Sequence, residues 1–124
     1  MTNVRVEPIT YEVTLLPKDY REGYLWTITV EYRGRDLWAV KRNGECLGKD
    51  GTWDWESNPS SREDDPDWLP AHRFGLQEAL ELANEWAPKV EIYSHRDKKP
   101  MSAQDVIDAY PDEVYGKEKD ADPR

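Results

Sequence analysis

The chain of 124 residues contains one cysteine, one phenylalanine and no long hydrophobic run. Because Cys46 is the only cysteine, an intrachain disulfide is excluded and a thiolate zinc site would lack its other sulfur ligands. No stretch approaches the roughly 18 consecutive apolar residues of a membrane span, and the first residues lack the apolar centre of a secretory signal. We therefore expect a cytoplasmic protein with no membrane segment.

Basic side chains are also scarce, because 17 Lys and Arg stand against 26 Asp and Glu and give a net charge of −9. Direct nucleic-acid binding is disfavoured, since phosphate contacts need a local excess of Lys and Arg. The acidity is concentrated in two segments. Residues 50–68 contain seven acids and a single base, and residues 102–124 contain seven acids and three bases. One loop and one tail thus account for the negative charge.

Aromatic residues are abundant, with 6 Trp and 7 Tyr, and they supply core-forming area in a chain that is only 37% hydrophobic. Trp26, Trp38 and Trp86 fall on apolar faces of predicted strands and of a predicted helix, so we assign them to the core. Trp53 and Trp55 share one face of a predicted strand, and we expect them to cover the sheet.

Alternation of apolar and polar residues predicts short β-strands throughout the first half of the chain. The Asn43-Gly44 pair is a strong signal for a two-residue hairpin. The predicted strands are residues 11–16, 24–33, 37–42, 45–47 and 52–56. Because turn residues separate consecutive strands, we predict an antiparallel meander of four or five strands.

Apolar residues at helical spacing predict the main helix, which begins at Gly75 as its N-cap and ends at Ala87 because Pro88 prevents continuation. A strand over residues 90–94 is predicted to join the sheet. Ser102 is expected to cap a shorter helix that follows it.

The predicted fold class is α+β. It comprises an antiparallel β-meander of four to five strands with one main helix packed on one face, a further strand and a short C-terminal helix over residues 103–110. Residues 1–110 form a single α+β domain in this prediction. Residues 111–124 are polar and charged, and we predict a disordered tail there.

A loop is predicted over residues 57–70, which contain three prolines and a run of acids, with a short helical turn near residues 65–69. Long loops in compact domains are usually functional or mobile, and aromatics bordered by charge are common in protein-binding patches. Trp68 is expected to anchor the loop on the core. The predicted binding residues are Trp53, Asp54, Trp55, Glu56, Arg62, Glu63, Asp64, Asp65, Asp67, Trp68 and His72. The alternative interpretation is that these carboxylates only solvate a loop.

Catalytic and metal motifs are missing from the sequence. The acids from Asp50 onward do not have the spacing of a calcium loop, and bulky Trp53 and Trp55 stand where small residues are needed. Cys46 is interpreted as a small buried apolar side chain, and His72 as a capping residue at a loop–helix junction. We expect no catalytic residue, no metal and no cofactor.

Basic residues gather in one predicted hairpin, namely Arg33, Arg35, Lys41 and Arg42. Either they form a small basic patch or they pair with the neighbouring acids. We favour pairing with Glu31, Asp36 and Glu45, which lie on the same hairpin.

Several segments together form a distinctive pattern. They are residues 27–34, 38–40, 46–47 and 50–56, followed by Pro59-Ser60, Arg62-Glu63-Asp64, Trp68-Leu69, His72-Arg73-Phe74 and Ala79-Leu80. This pattern, which spans roughly residues 25–90, resembles a family of small accessory proteins encoded by bacteriophages of actinobacteria. Members tend to have Asp where Gly75 stands here. The resemblance implies a source and not a reaction: a small phage protein that acts in the cytoplasm of its bacterial host.

Composition, charge and this resemblance favour a non-enzymatic accessory protein. The predicted function is binding of a host or phage protein through the acidic, Trp-bordered loop. Two alternatives remain: a small carboxylate-dependent enzyme, with or without the assistance of a metal, and a self-associating structural module. The sequence leaves open whether the protein is a monomer or a homodimer.

Overall fold

A five-stranded antiparallel sheet forms the body of the molecule. Its strands are β1 (Thr10–Val13), β2 (Ile28–Tyr32), β3 (Trp38–Arg42), β4 (Glu45–Leu47) and β5 (Trp53–Trp55). They lie side by side in chain order, β1-β2-β3-β4-β5. The structure, a computed structural model, describes residues 3–20, 23–56, 65–93 and 100–116. The predicted α+β class and the predicted meander are both confirmed.

Strand register divides the side chains of this sheet between two faces. Val30 pairs with Val40, and both are fully buried. Their neighbours Thr29, Glu31 and Lys41 point to the opposite side, because side chains alternate along a strand. We call the side that carries Val30 and Val40 the helix face and the other side the reverse face.

The helix face is covered by α2 (Leu76–Trp86), which packs on β2 and β3. Ala79 and Ala83 are fully buried at the contact. Their small side chains let the helix approach the sheet closely. Gly75 is the N-cap, as predicted, and Pro88 lies in a 3₁₀ turn over Ala87–Lys89 that ends the helix. The predicted main helix is therefore confirmed.

The predicted strand over residues 24–33 is wrong in its first part, because Gly23–Trp26 forms a 3₁₀ turn and β2 begins at Ile28. In this turn Trp26 is buried, and its indole Nε1 donates a hydrogen bond of 2.8 Å to the carbonyl oxygen of Met101. An acceptor 75 residues away decides the local backbone here, and the alternation of residue types contains no sign of it.

The strand after α2 does not join the main sheet, contrary to the prediction. β6 (Glu91–Tyr93) pairs instead with β7 (Pro100–Ser102) in a separate antiparallel sheet. Proline lacks a backbone N–H but is tolerated at the first position of a strand, so Pro100 concealed this strand in the sequence. Opposite Ile92, Met101 is buried and offers its carbonyl to Trp26.

Two short helices end the described chain. Ser102 caps α3 (Ala103–Ala109), as predicted, in a reciprocal arrangement: the Asp105 N–H donates to Ser102 Oγ, and the Ser102 N–H donates to the Asp105 carboxylate, each over 3.1 Å. α4 (Pro111–Tyr115) follows and buries Val114. Residues 111–116 thus have ordered positions where a disordered tail was predicted, and residues 117–124 lie outside the described chain.

The predicted loop of residues 57–70 is described only from residue 65 onward. There the chain forms α1 (Trp68–Ala71), which lies one turn later than the predicted helical turn near residues 65–69. Along the described ranges, no helix combines the length and the apolar character that a bilayer crossing requires.

Candidate functional site

The reverse face carries a cluster of ion pairs around the carboxylate of Glu56, the residue after β5. Arg33, which follows β2, donates to it through Nε and Nη2, each over 2.9 Å. Lys41 Nζ lies 3.0 Å from Glu56 Oε1, and Arg73 Nη2 lies 2.9 Å from Oε2. Three cations from three different elements therefore converge on one carboxylate. We call these four residues the Glu56 cluster.

The protonation of Glu56 is fixed by these contacts. Hydrogen bonds from Arg33 lower the pKa of Glu56 well below its ordinary range, against the effect of burial, and Lys41 adds to the lowering. The hydrogen bond to Glu56 likewise raises the pKa of Arg33. Glu56 was predicted to belong to a partner-binding surface, and the structure places it at the centre of an internal ionic network.

Arg73 connects the Glu56 cluster to α1. Arg73 is only 5% exposed. Its Nη1 donates a hydrogen bond of 3.0 Å to the carbonyl oxygen of His72, and its guanidinium lies 5.3 Å from the ring centre of Trp68. Trp68 is buried in turn against Ala39 and Cys46. The prediction that Trp68 anchors the loop on the body of the protein is therefore confirmed.

His72 is the C-cap of α1, as its predicted capping role requires. Its ring stacks on Trp68 with 4.1 Å between ring centres, and Nδ1 lies 2.7 Å from the Trp68 carbonyl. Because a carbonyl can only accept, Nδ1 is the nitrogen that carries hydrogen. Nε2 is buried, with Asp54 Oδ2 3.5 Å away and no hydrogen-bond partner among the described residues. His72 is thus inward-facing and presents no imidazole to a partner.

The two tryptophans of β5 differ in exposure although they share a face. Trp53 packs edge-on against Trp86 with 5.5 Å between ring centres. The guanidinium of Arg42 lies 4.6 Å from the centre of the Trp53 ring. Trp55 is 73% exposed. Trp53 therefore covers the sheet, as expected, whereas Trp55 projects beyond it.

Gly44 explains how Trp55 is held. A Cβ atom built on Gly44 would lie 2.2 Å from Trp55 Cζ3, so the indole rests directly on the backbone of the β3–β4 turn. Any larger residue at position 44 would displace the ring. The exposed indole is consequently supported on one side by the backbone of this turn.

β5 is also the last strand of the sheet in the described chain, so the backbone groups on its side away from β4 have no neighbouring strand among the described residues. Gly48 N–H donates to the Thr52 carbonyl and Glu56 N–H donates to the Gly44 carbonyl. By the alternation of an antiparallel ladder, the backbone groups of Trp53 and Trp55 point away from β4. The Asp54 side chain lies on the opposite face of β5 from both tryptophans and is 60% exposed.

The remaining predicted binding residues fall into two groups. Asp65 and Asp67 are exposed on the approach to α1, where Asp67 occupies the N-cap position. Arg62, Glu63 and Asp64 lie outside the described residues.

The basic residues of the β2–β3–β4 hairpins are mostly paired, as we favoured. Arg33 contacts Glu31 at 3.2 Å and Arg42 contacts Glu45 at 3.0 Å. Lys41 pairs with Glu56, which the local sequence did not suggest. Arg35 forms no ion pair with any residue that the structure describes, and neither does Asp36, so the predicted pairing with Asp36 was wrong.

The described residues contain no exposed cysteine and no group of side chains that could bind a metal. Cys46 is fully buried, in agreement with its interpretation as a small apolar side chain, and burial raises the pKa of its thiol. In the described ranges, no three His, Cys, Asp or Glu side chains come together in a way that could hold a metal ion.

Comparison of the chain with models of protein families, with curated proteins and with solved structures gives no match. A function for this protein has to be inferred from the chemistry of its own residues.

Proposed function

We propose that the protein binds another protein, without catalysing a reaction, at the β5 edge of its sheet. The observation that carries the proposal is Trp55, which is 73% exposed and yet held in place on Gly44. The binding surface consists of Trp55, the outward backbone edge of β5 and the Asp54 carboxylate. We call it the β5 surface.

Trp55 has the properties of an interface anchor. Tryptophan is enriched among the residues that dominate binding energy, because its large ring buries much apolar area while immobilising few rotatable bonds. An indole already fixed on a backbone loses little further freedom when a partner covers it, and less lost freedom means higher affinity. A solvated ring at this position brings no comparable benefit to the isolated chain.

The backbone edge beside Trp55 suits an extended peptide. The outward N–H and C=O groups of Trp53 and Trp55 can pair with a strand added by the partner, with the side chain of Trp55 as the specific contact. This mode needs no pocket. It is consistent with a flat surface at the end of a meander.

Charge favours a basic partner. Asp54 is 60% exposed on the side of the β5 edge opposite to Trp55, and residues 50–68 as a whole contain seven acids and one base. Such a segment speeds association with a positively charged protein and makes it sensitive to salt. The resemblance to accessory proteins of actinobacteriophages supports a host or phage protein as this partner, met in the bacterial cytoplasm.

Capture of the partner from an actinobacterial lysate at low salt, followed by mass spectrometry, tests the proposal. We expect Trp55→Ala to lose a protein that the wild type captures. Tyr24→Ala is the matched control, because Tyr24 is an aromatic of similar exposure, 71%, on a different element. Retention of the partner by Trp55→Ala, or an empty capture by the wild type at low salt, would contradict the proposal.

A further inference from the structure

A cleft of about 660 Å³ opens on the reverse face beside the Glu56 cluster. It lies between the β2–β3 turn, the segment after β4 and α1. Four cationic residues line it, namely Arg33, Arg35, Lys49 and Arg73, and no carboxylate is among its described lining residues. In a chain with a net charge of −9 this concentration of positive charge is unexpected.

The positive charge of the cleft is not cancelled by its surroundings. Arg33, Lys41 and Arg73 face the carboxylates of Glu31 and Glu56, which leaves one cation in excess. Arg35 and Lys49 form no ion pair within the described part of the chain. Asp50, the acid next to Lys49, directs its carboxylate to Thr52 N–H and Oγ1 at 3.0 and 2.7 Å.

The walls of the cleft are held in position before any ligand arrives. The Lys49 N–H donates 2.8 Å to the Ala71 carbonyl, which ties the segment after β4 to α1. Arg35 lies in the β2–β3 turn, where Gly34, Arg35 and Asp36 all have positive φ and the Leu37 N–H donates 2.9 Å to the Gly34 carbonyl. Arg73 is fixed by Glu56 and by His72.

Two kinds of contact are available to a ligand in this cleft. Arg35 and Lys49 are exposed donors at the cleft, and guanidinium groups bind oxyanions through paired donors. Leu37 and Leu69, which are 40% and 37% exposed, offer apolar surface beside the charges. A ligand with an anionic head and an apolar body would use both.

We propose that this cleft binds an organic phosphate, with the phosphoryl group among Arg33, Arg35, Lys49 and Arg73 and the organic body on Leu37 and Leu69. A phosphate is favoured over a carboxylate because four cationic residues line the cleft and no carboxylate is among its described lining residues, a setting that suits a dianion better than a monoanion. The site is separate from the β5 surface and does not depend on the function proposed for it.

Titration with phenyl phosphate, followed by backbone amide NMR, tests this assignment. We expect saturable shifts at residues 33–37, 49 and 69–73, weaker binding of inorganic phosphate, and no saturation by phenol. Affinity should fall as ionic strength rises, because exposed charges are screened. Absence of saturable shifts with phenyl phosphate, or shifts confined to other segments, would overturn the proposal.

A charge-matched pair of variants separates the cleft from general attraction. The double variant Arg35→Gln/Lys49→Gln removes two exposed cations of the cleft, and we expect roughly tenfold weaker binding of phenyl phosphate. The variant Arg5→Gln/Lys89→Gln removes one Arg and one Lys that do not line the cleft, and binding should stay within about twofold. An equal loss in both double variants would refute a specific site.

Two single variants complete the test. Leu37→Ala should reduce the advantage of phenyl phosphate over inorganic phosphate without weakening inorganic phosphate itself, and loss of both ligands to the same extent would contradict the assigned role of the apolar wall. Trp55→Ala should leave phosphate binding unchanged. The outcome at the cleft can therefore be distinguished from the outcome at the β5 surface.

Discussion

The two faces of the sheet are built from the same strands by opposite chemistry. On the helix face, Ile28, Val30 and Val40 are fully buried under α2. On the reverse face, alternate residues of the same strands feed the Glu56 cluster. Burial of apolar area is the main source of stability, whereas buried ion pairs recover little more than their desolvation cost. The helix face therefore stabilises the protein, and the reverse face sets the position of its charges.

The largest effect should come from the helix face. We expect Ile28→Ala to lower the free energy of unfolding by about 3–4 kcal/mol, because it removes buried methyl groups and leaves a cavity. Thr29→Ala, one residue along β2, removes only a 2.7 Å hydrogen bond to Glu31 on the reverse face and should cost about 1 kcal/mol. Urea denaturation measures both. Equal losses would remove the distinction between the faces.

A smaller effect is expected when the centre of the Glu56 cluster is neutralised. Glu56→Gln leaves Arg33, Lys41 and Arg73 close together with only the Glu31 carboxylate, which contacts Arg33, to compensate them. We expect a loss of about 2–3 kcal/mol, reduced from the fully buried case by partial solvent screening. Glu45→Gln is the control, because Glu45 pairs with Arg42 alone in a more exposed position, and it should change stability by less than about 1 kcal/mol. A loss at Glu56 as small as at Glu45 would show that the cluster contributes little.

The smallest effect concerns acid. Because the pKa of folded Glu56 lies below the ordinary value of 4.5, its contribution to stability is complete above that value and is lost as the pH falls toward the folded pKa. The difference in unfolding free energy between wild type and Glu56→Gln should therefore narrow below about pH 4.5. Urea denaturation at about pH 7 and about pH 3.5 measures the difference, and a constant difference would contradict the depressed pKa.

Local patterns were sufficient to predict most of the helix face. Period-two alternation located β2 and β3, and helical spacing located α2 with its cap at Gly75, because these elements bury one regular stripe of apolar side chains. The exception was Trp26, whose position depends on an acceptor in β7. Local sequence carries no information about such a distant partner.

The reverse face could not be predicted in the same way. The sequence predicted Glu56 as one more exposed acid, since its partners Arg33 and Arg73 are 23 and 17 residues away. Lys49 and Arg73 were not recognised as lining a common cleft, because only the fold brings the segment after β4 beside α1. Trp55 was predicted to cover the sheet together with Trp53, and this was wrong, because the ring is exposed and rests on the backbone of Gly44, a contact that alternation does not reveal.

The hydrogen bond between the Trp26 indole and the Met101 carbonyl affects the order in which the new chain can fold. All five strands of the main sheet precede Met101 in the chain and are therefore synthesised before it. Until Met101 is made, the Trp26 Nε1–H has no hydrogen-bond acceptor at this position. Burying a donor without an acceptor costs about 1–3 kcal/mol of folding free energy. Burial of the Trp26 indole is therefore free of this cost only when the hairpin of β6 and β7 is in place.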